Sequence, residues 1–396
     1  MEILLRVALL SILDNSVPGG GLRASFRQFA GRTILERQID LALAAGCETV
    51  ACLVDGISRE VTEAQRHAEQ AGIKFVAMQQ TRSLSGMVTA ADEILVVAAG
   101  NLPAAEPVLR SVSLPVILAF PAEDAVPRGH ERIDQQFAWS GVMLLPGSIV
   151  EPLAELPPDS DIVSALLRLG LQAGVKVLPL EKRLLIEGKW HWMPTVDELG
   201  EREDQWIRDH AEVAEFNAPG LAVAERVGAR LARDALGTRA ASVPAIGAAI
   251  CGLGALGCAL VGLHLPAMLL GTFMAVLSAA GETVERIAGA GQAVGRRSRT
   301  AAALDWLTDP VFIILIALAS PEDTQWLRLF VPIILFALMR LGNRMRSDRW
   351  KATYRDRIAV GGLLVPCVAF GLVQPATAVL ALIVLVTLFL APHRGE

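Results

Sequence analysis

The sequence predicts two folds in series: an α/β domain on a mostly parallel sheet, then an all-α membrane bundle of six transmembrane helices. Three patterns carry that prediction. Short apolar strands alternate with amphipathic helical segments in the first half, charge thins out after Ala240, and six apolar runs follow with arginine at alternate connections. A hydrophobic share of 53% in 396 residues is high for a water-soluble chain, and the excess lies in the second half.

The first domain is expected over residues 1–200. Its opening, MEILLRVALLSIL, is shaped like a signal peptide, but Glu2 and Arg6 interrupt it and no small-residue cleavage site follows, so it reads as a first buried strand. After it come a helix in TILERQIDLALAAG, a strand in ETVACLV, a helix in SREVTEAQRHAEQAG, and strands in IKFVAM and EILVVAAG. Between the first strand and the first helix lies Pro18-Gly19-Gly20-Gly21-Leu22-Arg23. A Gly-rich turn at a strand's carboxyl end is where backbone N–H groups meet a phosphate, which makes Gly20, Gly21 and Arg23 candidate cofactor-binding residues. An ordinary tight turn accounts for the glycines equally well. Glu131-Arg132-Ile133-Asp134 and Trp139-Ser140-Gly141 fit a ligand-facing edge or, more simply, a solvated loop and a half-buried strand. His191 has no metal-ligand partner nearby in sequence and reads as a packed or surface histidine.

The segment GGGLRASFRQFAGRTILERQIDLALAAGCETV resembles the opening of sugar-phosphate nucleotidyltransferases, which implies a Rossmann-like nucleotidyltransferase sheet over most of the first 200 residues. Where those enzymes carry a lysine after the loop, this chain has Arg27 and Gln28. Where they place a metal-binding aspartate after the central strand, it has Ala98-Ala99-Gly100; of their closing Asp-x-Asp-Thr segment, Trp192-Met193-Pro194-Thr195 keeps only Thr195. Without carboxylates to hold Mg²⁺ against a triphosphate, nucleotidyl transfer is expected to be lost.

Residues 201–240 are expected to form an amphipathic juxtamembrane linker helix. Within it Arg226, Arg230 and Arg233, at spacings of four and three, suit an anionic membrane surface, the cytoplasmic end of a bundle, or plain solvation. The membrane domain, 241–396, carries apolar runs at Ala245–Gly262, Leu265–Val284, Thr300–Ser320, Leu327–Leu341, Ile358–Val373 and Ala376–Ala391. Arg239 precedes the first run, Arg296, Arg297 and Arg299 separate the second and third, six basic residues from Arg344 to Arg357 separate the fourth and fifth, and Arg394 follows the sixth. The alternate connections, at His264, Glu322-Asp323 and Gln374-Pro375, hold no Lys or Arg. The positive-inside rule then puts both termini in the cytoplasm, with the bundle in the cell inner membrane. Five cysteines, without metal-ligand pairing, read as small buried hydrophobes in a reducing compartment.

The third run carries Asp305 and Asp309, four apart, on one helix face and close enough to repel. Ionisable residues inside a span are costly and mark candidate functional sites. The plainer reading pairs both acids with Arg296, Arg297 or Arg299 near the cytoplasmic end.

This half resembles the CDP-alcohol phosphotransferases, six-span enzymes that move a phosphoalcohol from a CDP-linked donor to an acceptor hydroxyl. Their signature, Asp-x-x-Asp-Gly-x-x-Ala-Arg, eight residues, then Gly-x-x-x-Asp-x-x-x-Asp, closes here as Ala301-x-x-x-Asp305-x-x-x-Asp309. Pro244 and Tyr354-Arg355-Asp356-Arg357 are further echoes. The opening part departs: aligning Gly281 with the motif glycine puts Leu277 and Ala280 at the aspartate positions. Aligning Glu282 and Glu285 instead keeps the acid spacing, with two extra residues before Asp305. That register implies Glu282, Glu285, Asp305 and Asp309 as metal ligands for Mg²⁺ if the site is active. It makes Asp309 the general base with Asp305 beside it, and Arg286 a cofactor-binding residue. The domain order resembles bifunctional inositol-phosphate cytidylyltransferase/phosphoinositol lipid synthases. The resemblance implies membrane lipid as partner, a CDP-alcohol substrate and a homodimer, with no nucleic acid expected; the net charge of −5 hides an uneven distribution and is uninformative about partners. Two readings of function follow: a diverged membrane phosphotransferase in phospholipid headgroup chemistry, or a non-catalytic membrane scaffold or regulator that keeps both folds. A transporter fits less well, because the acids cluster at one helix end rather than at the midplane of broken helices.

Overall fold

The structure, a computed structural model, describes residues 5–13, 22–79, 84, 86–155, 161–210, 217–235, 243–289, 299–321, 325–345 and 348–390. The chain divides into two compact units, one reaching to Gln205 and the other beginning at Trp206.

The first unit is α/β. Its strands are β1 (Arg6–Ser11), β2 (Gln28–Phe29), β3 (Arg32–Thr33), β4 (Thr49–Leu53), β5 (Lys74–Met78), β6 (Glu93–Val97), β7 (Asn101–Leu102), β8 (Val116–Pro121), β9 (Phe137–Pro146), β10 (Lys176–Pro179) and β11 (His191–Trp192). Seven of them form a sheet in the order β10-β8-β9-β6-β1-β4-β5. The run β6-β1-β4-β5 is parallel, as is β10 beside β8, while β9 runs antiparallel to both its neighbours. The sheet is therefore mixed, close to the mostly parallel one expected. Because both faces are covered, β1 is apolar from Val7 to Leu10 rather than alternating: Ala8 and Leu10 enter one core cluster, Val7 and Leu9 the other.

Helices α1 (Ile34–Ala44), α2 (Arg59–Ala71), α3 (Ala105–Ser111) and α4 (Ile162–Gln172) flank this sheet, and α5 (Val196–His210) follows it. The hairpin β2–β3 turns through Ala30 (φ 48°) and Gly31 (φ 78°), the left-handed pair that a two-residue primed turn demands. A capping box then starts α1, with Thr33 Oγ1 accepting from Glu36 N (3.2 Å) and Glu36 Oε2 from Thr33 N (2.8 Å).

The second unit is helical: α6 (Pro219–Ala235), α7 (Val243–Leu260), α8 (His264–Gly289), α9 (Arg299–Ala319), α10 (Gln325–Met345), α11 (Asp348–Arg355), α12 (Arg357–Ala369) and α13 (Val373–Phe389). Among the described residues four of them, rather than six, are long and apolar enough to cross a membrane: 243–260, 264–287, 302–319 and 326–343. The run expected as the fifth span falls short at its far end, where α12 stops at Ala369 and the turn through Gly371 (φ 70°) lies inside the run, while α13 stops at Phe389. What remains is 13 residues in α12 and 17 in α13, roughly 20 and 25 Å of helix against a hydrocarbon core of about 30 Å. In the core, Phe312 of α9 stacks on Phe336 of α10 with ring centres 5.9 Å apart. Gly361 of α12 is seated so closely that a Cβ there would lie 2.5 Å from Thr272 Oγ1 and 3.0 Å from the Phe312 ring.

The single linker helix expected over 201–240 is instead two, α5 and α6, with 211–216 outside the described residues. Gly220, Ala224, Gly228 and Ala232 form the buried stripe of α6, and Gly228 lies against Ala280 and Thr283 of α8. Arg226 and Arg230 are exposed on its other side, so α6 covers the end of the bundle with its basic face outward. The Arg233 side chain, and all of Arg239, Arg296, Arg297, Glu322, Asp323 and Arg394, lie outside what is described.

Candidate functional site

Asp309 stands inside α9, 4% exposed, and both its oxygens are taken by arginines from other helices. Arg340 of α10 donates from Nε to Oδ2 at 2.5 Å. Arg357, the first residue of α12, donates from Nε to Oδ1 at 2.9 Å and from Nη2 to Oδ2 at 3.2 Å. The remaining donors serve local carbonyls, Arg357 Nη1 bonding Tyr354 O. Pro310 has no N–H, and a proline one turn on would clash with or orphan the carbonyl four residues back. That carbonyl is Trp306 O, and Arg340 Nη2 lies 3.4 Å from it, while the Arg340 guanidinium sits 4.4 Å above the Trp306 ring. Two guanidinium groups on one carboxylate leave the cluster with a formal charge of +1.

The other expected site residues are placed separately. Asp305, one turn before Asp309, is exposed. Glu282 of α8 is half-buried and accepts from Arg355 Nη2 at 3.1 and 3.2 Å; Glu285 and Arg286 are half-buried three and four residues further along. The quartet Glu282, Glu285, Asp305 and Asp309 is not gathered into a metal cage: among the described residues no three His, Cys, Asp or Glu side chains lie together as a metal would require. The acids as they stand do not fit Mg²⁺, because the Asp309 lone pairs already accept from guanidinium groups and Glu282 is engaged by Arg355.

Sequence reasoning missed Arg340, which sits inside the apolar run Leu327–Leu341. The signal was available, since a lone arginine within a span is as costly as an aspartate and calls for a partner. It also missed the double role of Asp356, 2% exposed, whose Oδ1 accepts from Ala359 N (2.9 Å) and Oδ2 from Gly220 N (2.8 Å). One carboxylate thereby caps α12 and α6 together.

In the first unit, Gly20 and Gly21 lie outside the described residues. Arg23 is engaged by a bidentate pair to Asp55, Nη1–Oδ1 3.0 Å and Nη2–Oδ2 2.5 Å, and that hydrogen bonding holds the exposed Asp55 carboxyl below its usual range. Arg27 donates to Pro194 O. Thr195 forms a capping box with Glu198 at the start of α5, which is a structural role for the remnant of the Asp-x-Asp-Thr segment. Trp139 and Ser140 are buried in β9, with Ser140 O accepting from Trp190 Nε1 at 2.9 Å, so that stretch is core rather than a ligand edge. His191 is half-buried and Nε2 meets Gly188 O at 2.9 Å. Burial pushes Arg37 down to about 10 and Arg202 to about 9. Both stack on Phe29, 5.6 and 5.0 Å from its centre, and Arg202 also donates to Leu102 O and Lys189 O.

All five cysteines are free, Cys47 and Cys52 fully buried, and burial lifts both thiols to about 12. That leaves them unreactive hydrophobes, as their setting in the sequence suggested.

No family model matches the chain, and no curated protein matches it. Among solved structures, the crystal structure of UDP-glucose pyrophosphorylase complexed with UDP-glucose is similar at a TM-score of 0.38 and 11% identity. The match covers 52% of this chain and 100% of that one, a likeness too weak to carry an argument about function.

Proposed function

We propose that the protein is a non-catalytic membrane scaffold or regulator of phospholipid headgroup chemistry, built on a CDP-alcohol phosphotransferase-type bundle and a nucleotidyltransferase-type α/β domain. One observation supports this above the rest: the acid that would serve as general base, Asp309, is closed by Arg340 and Arg357. A base must have a lone pair within reach of the proton it removes, and these lone pairs already accept from guanidinium N–H groups. The α/β domain has the same history in its sequence, with Ala98, Ala99 and Gly100 where a metal-binding carboxylate is expected. A diverged phosphotransferase is the second reading, favoured by the exposed Asp305 one turn from Asp309.

The test is release of CMP by the purified full-length protein from CDP-diacylglycerol and from CDP-linked alcohols, with Mg²⁺ or Mn²⁺ and without. We expect none above background, and no change with Asp305→Asn or Asp309→Asn. Metal-dependent CMP release that disappears in Asp309→Asn would establish the transferase and remove the scaffold.

A further inference from the structure

The second unit contains a cavity that the acid–arginine cluster does not use. It has a volume of about 170 Å³ and is a half-open recess lined by α10, α11, α12 and α13, with the start of α6 beside it. None of Asp309, Arg340 or Arg357 lines it. Its two ends differ in chemistry. At one end lie Asn217, Thr353 and Asp356; at the other lie Leu363, Ile383 and Val384.

The polar end asks for no charged ligand, because its groups are satisfied within the protein. Thr353 Oγ1 donates to Asn217 O at 3.0 Å, Tyr354 OH pairs with Thr387 Oγ1 at 3.0 Å, and Asp356 caps two helices. The apolar end opens sideways. Leu363 is 58% and Ile383 52% exposed, which makes the cavity continuous with the outer apolar surface of a bundle in which α10, on the cavity wall, is long and apolar enough to cross a membrane. Trp350, 40% exposed, stands at the polar end on α11, as an aromatic residue at a membrane–water boundary does. Leu363 lies seven residues beyond Asp356, the N-cap of α12, so the polar-to-apolar gradient runs along that helix axis over about 10 Å. A dry cavity of about 150 Å³ lined by aliphatic side chains takes a benzene-sized guest, so this one has room for roughly six chain carbons.

We infer that this cavity holds a segment of one acyl chain of a bilayer phospholipid, entered from the lipid side between Leu363 and Ile383, with the headgroup end toward Trp350. The inference is independent of whether the acid site catalyses anything. Its physical basis is that an apolar void next to fluid hydrocarbon gains dispersion contacts by admitting a chain, with little change in hydration.

The test uses the full-length protein in phosphatidylcholine vesicles doped either with a phosphatidylcholine carrying a diazirine on one acyl chain or with a diazirine fatty acid. After photolysis, adducts are mapped by peptide mass spectrometry. With the labelled phospholipid, adducts should concentrate on 350–363 and 383–387, and fall about tenfold when Val384→Phe fills the cavity. Leu363→Phe, at the mouth, reads the same effect if Val384→Phe does not fold. Leu253→Phe, on the 73% exposed face of α7, should change nothing at those segments. Labelling spread evenly over the lipid-facing helices and indifferent to both cavity variants would overturn the inference. So would labelling of these segments by the fatty acid alone.

Discussion

A carboxylate in a membrane-spanning helix must be neutralised, and Asp309 is neutralised twice over. Such a pair adds little to stability compared with apolar residues of the same shape, yet removing one partner leaves a buried charge without compensation. Asp309→Asn is therefore expected to lower the stability of the detergent-solubilised protein by on the order of 3 kcal/mol, read from its thermal unfolding. Asp305→Asn, on an exposed carboxylate, should stay within about 0.5 kcal/mol. In the first unit, His130 is 3% exposed and its Nδ1 donates to Trp139 O at 2.9 Å, since a carbonyl can only accept. Its Nε2 is buried without a hydrogen-bond partner, and burial pushes the imidazole down to about 4. A pKa below the unfolded value of about 6.5 means that its stabilising effect is complete above pH 6.5 and is lost progressively as pH falls toward 4, about 3 kcal/mol in all. Amide exchange in β9 of the full-length protein should accelerate over that window, and His130→Phe should flatten the dependence.

Single side chains also set where helices begin. Asp356 joins the first turns of α6 and α12, and this is feasible only because residue 220 is glycine: a Cβ there would fall 2.2 Å from Asp356 Oδ1. Gly220→Ala should therefore cost about 2 kcal/mol or more, from the strained cap and the clash together. Circular dichroism during thermal unfolding would show it, whereas Gly257→Ala, whose Cβ meets nothing within 4 Å, should not destabilise α7. The fifth run was misread for a local reason of the same kind: hydropathy counts apolar residues, but the left-handed Gly371 turns the chain inside the run.

At the level of the whole bundle, two contacts orient α12 against α8. Glu282 meets Arg355, two residues before α12 begins, and Thr272 meets Gly361 within it, so the two helices run in opposite directions. Eight residues beyond Gly361 is Ala369, and eight before Thr272 is His264, each roughly 12 Å further along. Short as it is, α12 therefore ends level with the turn between α7 and α8. Cysteines placed at Gly262 and Gly371 in a background without the native cysteines should thus react with an impermeant maleimide from the same side of the membrane. Labelling of the two from opposite sides would show that α12 and α13 do not reach across.

Much of this was legible in the residues. The alternation of strand and helix, the apolar runs and the one-turn spacing of Asp305 and Asp309 follow from periodicity, which is a property of neighbours along the chain. The resemblance to a metal-dependent signature was legible too, and it misled about the acids' neighbours. Spacing on one helix says which residues share a face but not what faces them: that Asp309 is buried and Asp305 exposed, that Arg340 and Arg357 occupy the place offered to a cation, and that Glu282 turns to Arg355 are outcomes of packing among α8, α9, α10 and α12. Apolar patterning could announce a bundle; only the crossing of its helices could choose between a metal and two arginines as the counter-charge, because that choice depends on distances across the chain rather than along it.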